Sequence, residues 1–278
     1  MSKRAWILGC LVASAALSLP AAAGYRSSDI TVEIVDEQGT VFQQVPVRHA
    51  SDAYRAYLQA DRGVRYRIRV ANASDERVGV VIAVDGRNIV NGARSELASS
   101  EPKYVLSAYE SQEFSGWRTS LADVHEFYFT EWKDSYAEAF GDRSARGVIA
   151  VAVYQEKESA RIAQQLSREA AAADSQPSAV LPSEALPPAT AGAAGEARRS
   201  RDAKAERSEP GTGYGDRRNE PAVRVAFDAE SRPSSRVFLK YEWRETLCRK
   251  RILDCREPAN RFWPDALSFA PPPPRKTH

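Results

Sequence analysis

Histidine and cysteine are scarce in this chain, with only 3 of each among its 278 residues. It has no Cys-x-x-Cys pair and no His-Glu-x-x-His helix, which argues against the usual zinc centres. A Gly-x-Ser-x-Gly nucleophile elbow is missing as well, and with it the familiar hydrolase signature. A Ser-His-Asp site gathered from distant residues stays open, but no spacing points to one. His125 lies near Asp123 and Glu126. Adjacent strand residues face opposite ways, so closeness in sequence does not make a dyad. The expectation is therefore no catalytic residue, no metal site and no cofactor.

Long hydrophobic runs are missing too. The one sustained apolar stretch, Ala5–Leu19, is shorter than the roughly 20 residues a membrane-spanning helix needs. It follows a short basic start and ends in Pro20-Ala21-Ala22-Ala23. That layout is a secretory leader over 1–23, cleaved after Ala23, rather than an anchor. A lipoprotein reading of Ile7-Leu8-Gly9-Cys10 fails, because cutting there would leave most of the apolar segment on the product. The mature chain, from about Gly24, is expected in the periplasm or secreted, with no membrane span left.

Charge of one sign is lacking as well. Losing Lys3 and Arg4 from 39 basic residues leaves 37 against 37 acidic ones. A neutral chain is a poor partner for nucleic acid, where phosphates demand a basic excess. It has no general attraction to an anionic membrane surface either.

What the chain does have is alternation. Ile30, Val32 and Ile34 alternate with Thr31 and Glu33, and Val64, Tyr66, Ile68 and Val70 alternate with Arg65, Arg67 and Arg69. Both patterns predict half-buried strands. Val78–Val84 and Val148–Tyr154 are apolar on nearly every residue, as expected of strands covered on both faces. Asp85-Gly86 and Asn91-Gly92 accept the positive φ angles of tight turns, making Val78–Asn91 a hairpin followed by another turn. Tyr104–Leu106, Glu113–Trp117 and Glu126–Thr130 are further strands. Ser51–Gln59 reads as a short helix, and Lys133–Phe140 as a loop with one helical turn. The expected fold is all-β, an antiparallel sandwich or open barrel over 24–155.

Beyond Tyr154 the composition changes. Segment 156–174 is rich in helix formers with only Ile162 and Leu166 as an apolar stripe, giving an exposed helix. Segment 175–221 reads as disordered linker. Its Gly211-Thr212-Gly213-Tyr214-Gly215 run lacks the buried strand, helix and Lys-Ser/Thr of a P-loop, so a flexible entry is expected. Order returns over 222–264, where Val223, Val225 and Phe227 alternate, as do Val237, Leu239, Tyr241 and Trp243. Two strands make no independent core in water, so this segment must dock back on the first domain. Segment 265–278, with Pro271–Pro274, reads as an extended, solvated tail.

Three sets of residues are candidates for chemistry. Cys248 and Cys255 are the only cysteines left after leader removal, and in an exported protein a structural disulfide is favoured over free thiols or a metal pair. A single helix through both would separate their Cα atoms by about 10 Å, too far to bridge, so any helix must break before Cys255. Arg65, Arg67 and Arg69 share a strand face and read either as an anion site or as a solvated face paired with cross-strand Glu and Asp. The balanced charge favours the second. Trp117, Phe127, Tyr128, Phe129, Trp132, Tyr136 and Phe140 form an aromatic stretch that is mostly core, with Trp132 and Tyr136 expected to be its exposed, ligand-holding members.

Several motifs resemble a group of exported bacterial proteins of unknown function. They are Val84-Asp85-Gly86-Arg87-Asn88, Gly116-Trp117-Arg118, Phe127-Tyr128-Phe129-Thr130, Ser135-Tyr136-Ala137 and Gly147-Val148-Ile149 with Val151-Ala152-Val153. Gly211–Gly215 and the Tyr241/Leu247 stretch belong to the same pattern. The resemblance implies no activity and supplies no site residue. The chain thus reads as a non-enzymatic module of the cell envelope, binding an envelope protein or a glycan or serving structurally. An exported hydrolase with a dispersed site and a self-assembling envelope protein are the alternatives. The oligomeric state is open.

Overall fold

The computed structural model describes residues 24–27, 29–47, 53–163, 165–166 and 209–255. The expected leader, the linker up to residue 208 and the Pro271–Pro274 tail lie outside the described residues. Two sheets face each other across one core. The first holds β1 (Tyr25–Arg26), β2 (Ile30–Asp36), β5 (Arg65–Asn72), β11 (Asp123–Glu131) and β10 (Gly116–Arg118) in that order. β9 (Ser111–Phe114) pairs with β5, while β13 (Pro210–Thr212) and β14 (Arg217–Asn219) pair with β11. The second runs β3 (Gln44–Pro46), β4 (Tyr54–Ala60), β15 (Ser235–Trp243), β12 (Val148–Gln155), β6 (Val78–Val84) and β7 (Arg87–Asn88), with β8 (Tyr104–Leu106) beside β6. The protein is an all-β sandwich.

The alternation on β5 does what its period requires. Tyr66, Ile68 and Val70 are buried, and the arginines between them face outward. Each fully buried large apolar side chain stabilises the fold by about 1.5–3 kcal/mol, and Tyr66 stacks on Phe127 and Phe129 at 5.3 and 4.4 Å. β6 is buried along its whole length. Its outer face carries Val81, which with Ala152 and Tyr154 of β12 forms a second cluster against which Leu97 and Ala229 pack. Two covered faces explain the unbroken apolar run.

The C-terminal segment does more than extend an edge. β15 lies inside the second sheet, parallel to β4 from Val237 to Trp243 and antiparallel to β12 along its other side. β4 itself corrects the expected short helix at Ser51–Gln59. Ala56, Leu58 and Ala60 form a buried period-two stripe once β15 supplies a partner, and that pairing overrides the helical spacing of Tyr54, Tyr57 and Leu58. The predicted strand at Val223–Phe227 does not form. Val223 and Val225 are exposed, and the backbone's one ladder contact there is the Ala229–Glu156 bridge. Alternation without a free sheet edge beside it makes no strand.

The linker also ends sooner than expected. Glu209 to Asn219 already lie along β11, antiparallel, from Glu131 at one end to Asp123 at the other. Gly215 N–H donates to the Glu126 carbonyl while Glu126 N–H donates to Asp216, so two residues oppose one in a β-bulge. The segment is an edge strand, and its glycines have a packing reason. A Cβ on Gly213 would sit 2.2 Å from the Tyr128 ring, and one on Gly211 would sit 2.5 Å from Ser135. The run reads as loop in sequence because glycine carries no apolar signal.

Near the C-terminus, a short helix spans Arg244–Arg249 and ends as Arg251 turns to φ 56°. The break expected before Cys255 is there. Cys248 and Cys255 lie at disulfide distance, with Cα atoms 5.5 Å apart. Of the expected exposed helix at 156–174, the described residues 158–163 are helical, and Ile162 is exposed on it. Among the described residues, no helix is long and apolar enough to cross a membrane.

Candidate functional site

The hairpin turn between β6 and β7 builds the first half of the site. Val84 pairs with Arg87, leaving Asp85-Gly86 as a two-residue loop with φ of 51° and 82°. Those signs define a type I′ turn, where Asp and Gly are preferred. Unusually for a turn residue, Asp85 is fully buried. Its Oδ1 accepts from Gly147 N–H at 2.7 Å and from the Tyr241 hydroxyl at 2.6 Å. Oδ2 accepts from Thr212 N–H at 2.8 Å. Thr212 Oγ1 in turn bonds the Tyr66 and Tyr241 hydroxyls at 2.7 and 2.8 Å.

This cluster clamps the two sheets. Asp85 and Tyr241 come from the second sheet, Tyr66 and Thr212 from the first. A buried carboxylate survives when its oxygens find donors, and here three do. Burial pushes the Asp85 carboxyl up from 3.8 to about 6, with the Tyr241, Thr212 and Gly147 hydrogen bonds pulling the other way. Burial likewise raises the Tyr66 and Tyr241 hydroxyls well above their ordinary value. Gly147 must be glycine, since its φ is 61° and a Cβ would lie 2.9 Å from the Tyr241 carbonyl.

The clamp positions the second half, a surface groove of about 340 Å³. Tyr136 N–H donates to the Thr212 carbonyl at 2.9 Å, so the groove wall hangs from the same residue that holds Asp85. Trp117, Tyr136, Phe140 and Tyr214 line the groove, with Asn91, Gly92, Arg118, Thr119 and Ala139 between them. His125, Tyr214 and Tyr136 stack nearly parallel, at centroid spacings of 4.1 and 5.5 Å. Tyr136 also packs on Trp117 at 4.3 Å and meets Phe140 edge-on at 5.0 Å. Phe140 is 56% exposed and Tyr214 42%. A smaller cleft of about 200 Å³, between Phe42, Tyr57, Leu247 and Leu253, has no comparable ring ladder.

The polar groups around the groove are mostly spent. Arg118 donates to the Tyr104 hydroxyl at 2.7 Å, to the Glu220 carbonyl at 2.9 Å and to the Glu220 carboxylate at 3.0 Å. Asn91 Oδ1 accepts from Ala93 N–H at 3.0 Å, and the Thr119 hydroxyl donates to the Asp123 carbonyl at 3.3 Å. Arg87 lies over the Phe140 ring at 4.5 Å and donates to the Gly92 carbonyl.

No family model, curated protein or solved structure matches this chain. The motif residues Asp85, Arg87, Trp117, Tyr136, Gly147 and Gly211–Gly215 nonetheless converge in space, around the clamp and its groove.

The other sequence candidates lie elsewhere or in different roles. Trp132 is not an exposed ring. It is 9% exposed, donates its Nε1–H to Glu138 at 2.6 Å and lies beneath Arg146. The β11 register and the turn that follows it carry this ring inward. Tyr136 lines the groove as a partly buried wall. Arg65, Arg67 and Arg69 bind cross-strand carboxylates: Arg69 reaches Glu33 and Glu113 at 3.1 and 2.7 Å, Arg67 reaches Glu113 at 3.1 Å, and Arg65 contacts Glu126 and Asp216. That is the solvated, paired face. His125 Nδ1 lies 2.8 Å from the Gly215 carbonyl, and Asp123 pairs with Arg217 at 2.7 Å. His49 lies outside the described residues. Among those described, no group of three or more His, Cys, Asp or Glu side chains could hold a metal ion.

Proposed function

We propose that the protein is a non-enzymatic binding module of the cell envelope, periplasmic or secreted, that holds an extended proline-bearing peptide in the groove of Trp117, Tyr136, Phe140 and Tyr214. The observation that carries this reading is the parallel ladder of rings with Tyr214 and Phe140 left exposed. Proline-type helices dock between aromatic ridges because their rigid, preformed backbone loses little entropy on binding. A glycan would need free hydrogen-bonding side chains for its hydroxyls, and Arg118, the Asn91 Oδ1 and the Thr119 hydroxyl are already engaged within the protein. The location rests on the leader at 1–23 and on the paired cysteines, which suit an oxidising compartment.

Calorimetric titration of the mature protein with a decaproline peptide tests this. Binding is expected, weakened at least tenfold by Tyr214→Ala. Binding of peptidoglycan or chitin fragments, with none of the proline peptide, overturns it.

A further inference from the structure

We propose that Cys248 and Cys255 form an exchangeable redox latch on the cleft beside them. An external dithiol opens it, freeing residues 249–255 and withdrawing Leu253 from the cleft wall while the sandwich stays folded. The cleft, about 200 Å³ in volume, is lined by Phe42, Val45 and Tyr57 together with Leu247 and Leu253. Leu253 lies inside the loop that the two cysteines close, and Leu247 immediately precedes it.

The bond is placed to act locally. Both cysteines follow β15, with a sequence separation of 7, so the link joins neither two strands nor two sheets. A short loop constrains the unfolded chain less than a long one, which leaves the core's stability to its own packing. The turn's backbone bonds also stay among residues 246–252. Lys250 N–H donates to the Thr246 carbonyl, Arg251 N–H to that of Cys248 and Ile252 N–H to that of Leu247, each at 2.9 Å. Arg251 holds a φ of 56°, a conformation costly to a residue with a Cβ. Breaking the bond lets that residue relax, and Leu253 moves with it. Leu247, 1% exposed, stays with the core.

The pair is also open to attack. Cys248 and Cys255 are half-buried, and Arg249, Lys250 and Arg251 between them are exposed. These cations draw in an attacking thiolate. Glu242 holds Lys250 at 2.7 Å, and Glu245 and Asp254 are the acids nearest in sequence. One thiolate of the dithiol attacks a sulfur of the pair, the S–S bond breaks and the other sulfur leaves as a thiolate. The dithiol's second thiolate then attacks the mixed disulfide. The dithiol ends as a disulfide, its two electrons and two protons now on Cys248 and Cys255 as thiols.

The test treats the full mature chain with dithiothreitol in the absence of denaturant. Mass measurement after alkylation is expected to count both thiols. Trypsin cleavage after Arg249, Lys250 or Arg251 should then run about tenfold faster than in the oxidised protein, because the sites open locally. Amide resonances of Tyr57 and Leu253 should shift on reduction, while those of Ile68 and Val151 in the two sheets stay in place. A C248S/C255S variant is expected to show the reduced pattern without any reductant. A bond that yields to dithiothreitol only in urea overturns the proposal. So does loss of the Ile68 and Val151 resonances in the reduced protein, since the bond would then be holding the sandwich itself. Unchanged cleavage together with unchanged Tyr57 and Leu253 resonances overturns it as well.

Discussion

The clamp and the groove share one short run, Pro210–Gly215, and they differ in physical character. Thr212 is fully buried, and each of its polar atoms has a partner within the protein. Tyr214, two residues on, is 42% exposed and offers a ring face. In the clamp, a costly carboxylate is matched by three donors and holds two sheets together. Around the groove, Arg118 and the Thr119 hydroxyl are matched within the protein and aromatic surface is exposed. The contrast teaches that stability and recognition can be assigned to alternate residues of one edge strand.

The strongest way to break the comparison is Asp85→Ala. It leaves Gly147 N–H, Thr212 N–H and the Tyr241 hydroxyl buried without an acceptor. The expected loss is about 3–5 kcal/mol in urea unfolding. A loss below about 1 kcal/mol would mean the clamp is ornamental.

Next in size is the pH response. A buried carboxyl raised from 3.8 to about 6 binds more protons folded than unfolded between those values. Its contribution is therefore fully present below about pH 4 and lost as pH rises through 6, by up to about 3 kcal/mol. Asp85→Asn keeps a residue that tolerates positive φ and removes the titration. The stability gap between wild type and this variant should widen in favour of the wild type from pH 7.5 to pH 4.5. A gap independent of pH refutes the assignment.

The smallest expected effect on stability sharpens the comparison from the other side. Tyr214→Ala removes two stacked contacts at the surface, worth about 1 kcal/mol. The same variant should cost at least tenfold in peptide affinity. If it unfolds the protein as Asp85→Ala does, the division between the two regions is false.

Sequence alternation was enough to place β2, β5, β6 and β12, because one or two covered faces write themselves directly into side-chain polarity. The Asp85-Gly86 turn was equally legible from its dihedral demands. Its second role was hidden, since nothing in a turn dipeptide tells that its side chain points inward to meet Tyr241 and Thr212, 156 and 127 residues away. Gly211–Gly215 was misread for a related reason. Its signal lay in the alternation of glycine with Thr212 and Tyr214, which means an edge strand only when a large ring such as Tyr128 already occupies the facing space. Tyr136 was singled out among the aromatics. Phe140 follows it four residues on in the same aromatic stretch, and Tyr214 became its partner through a tertiary contact alone.

The position of β15 governs the order in which the molecule can be made. Its neighbours β4 and β12 emerge from the ribosome long before it, and each presents an unmatched edge to the gap between them. The second sheet stays in two halves until residues 235–243 arrive. Pairings that span so much sequence form late and slowly. A nascent chain of this protein therefore carries its own delay, and its second sheet cannot close before residues 235–243 are made.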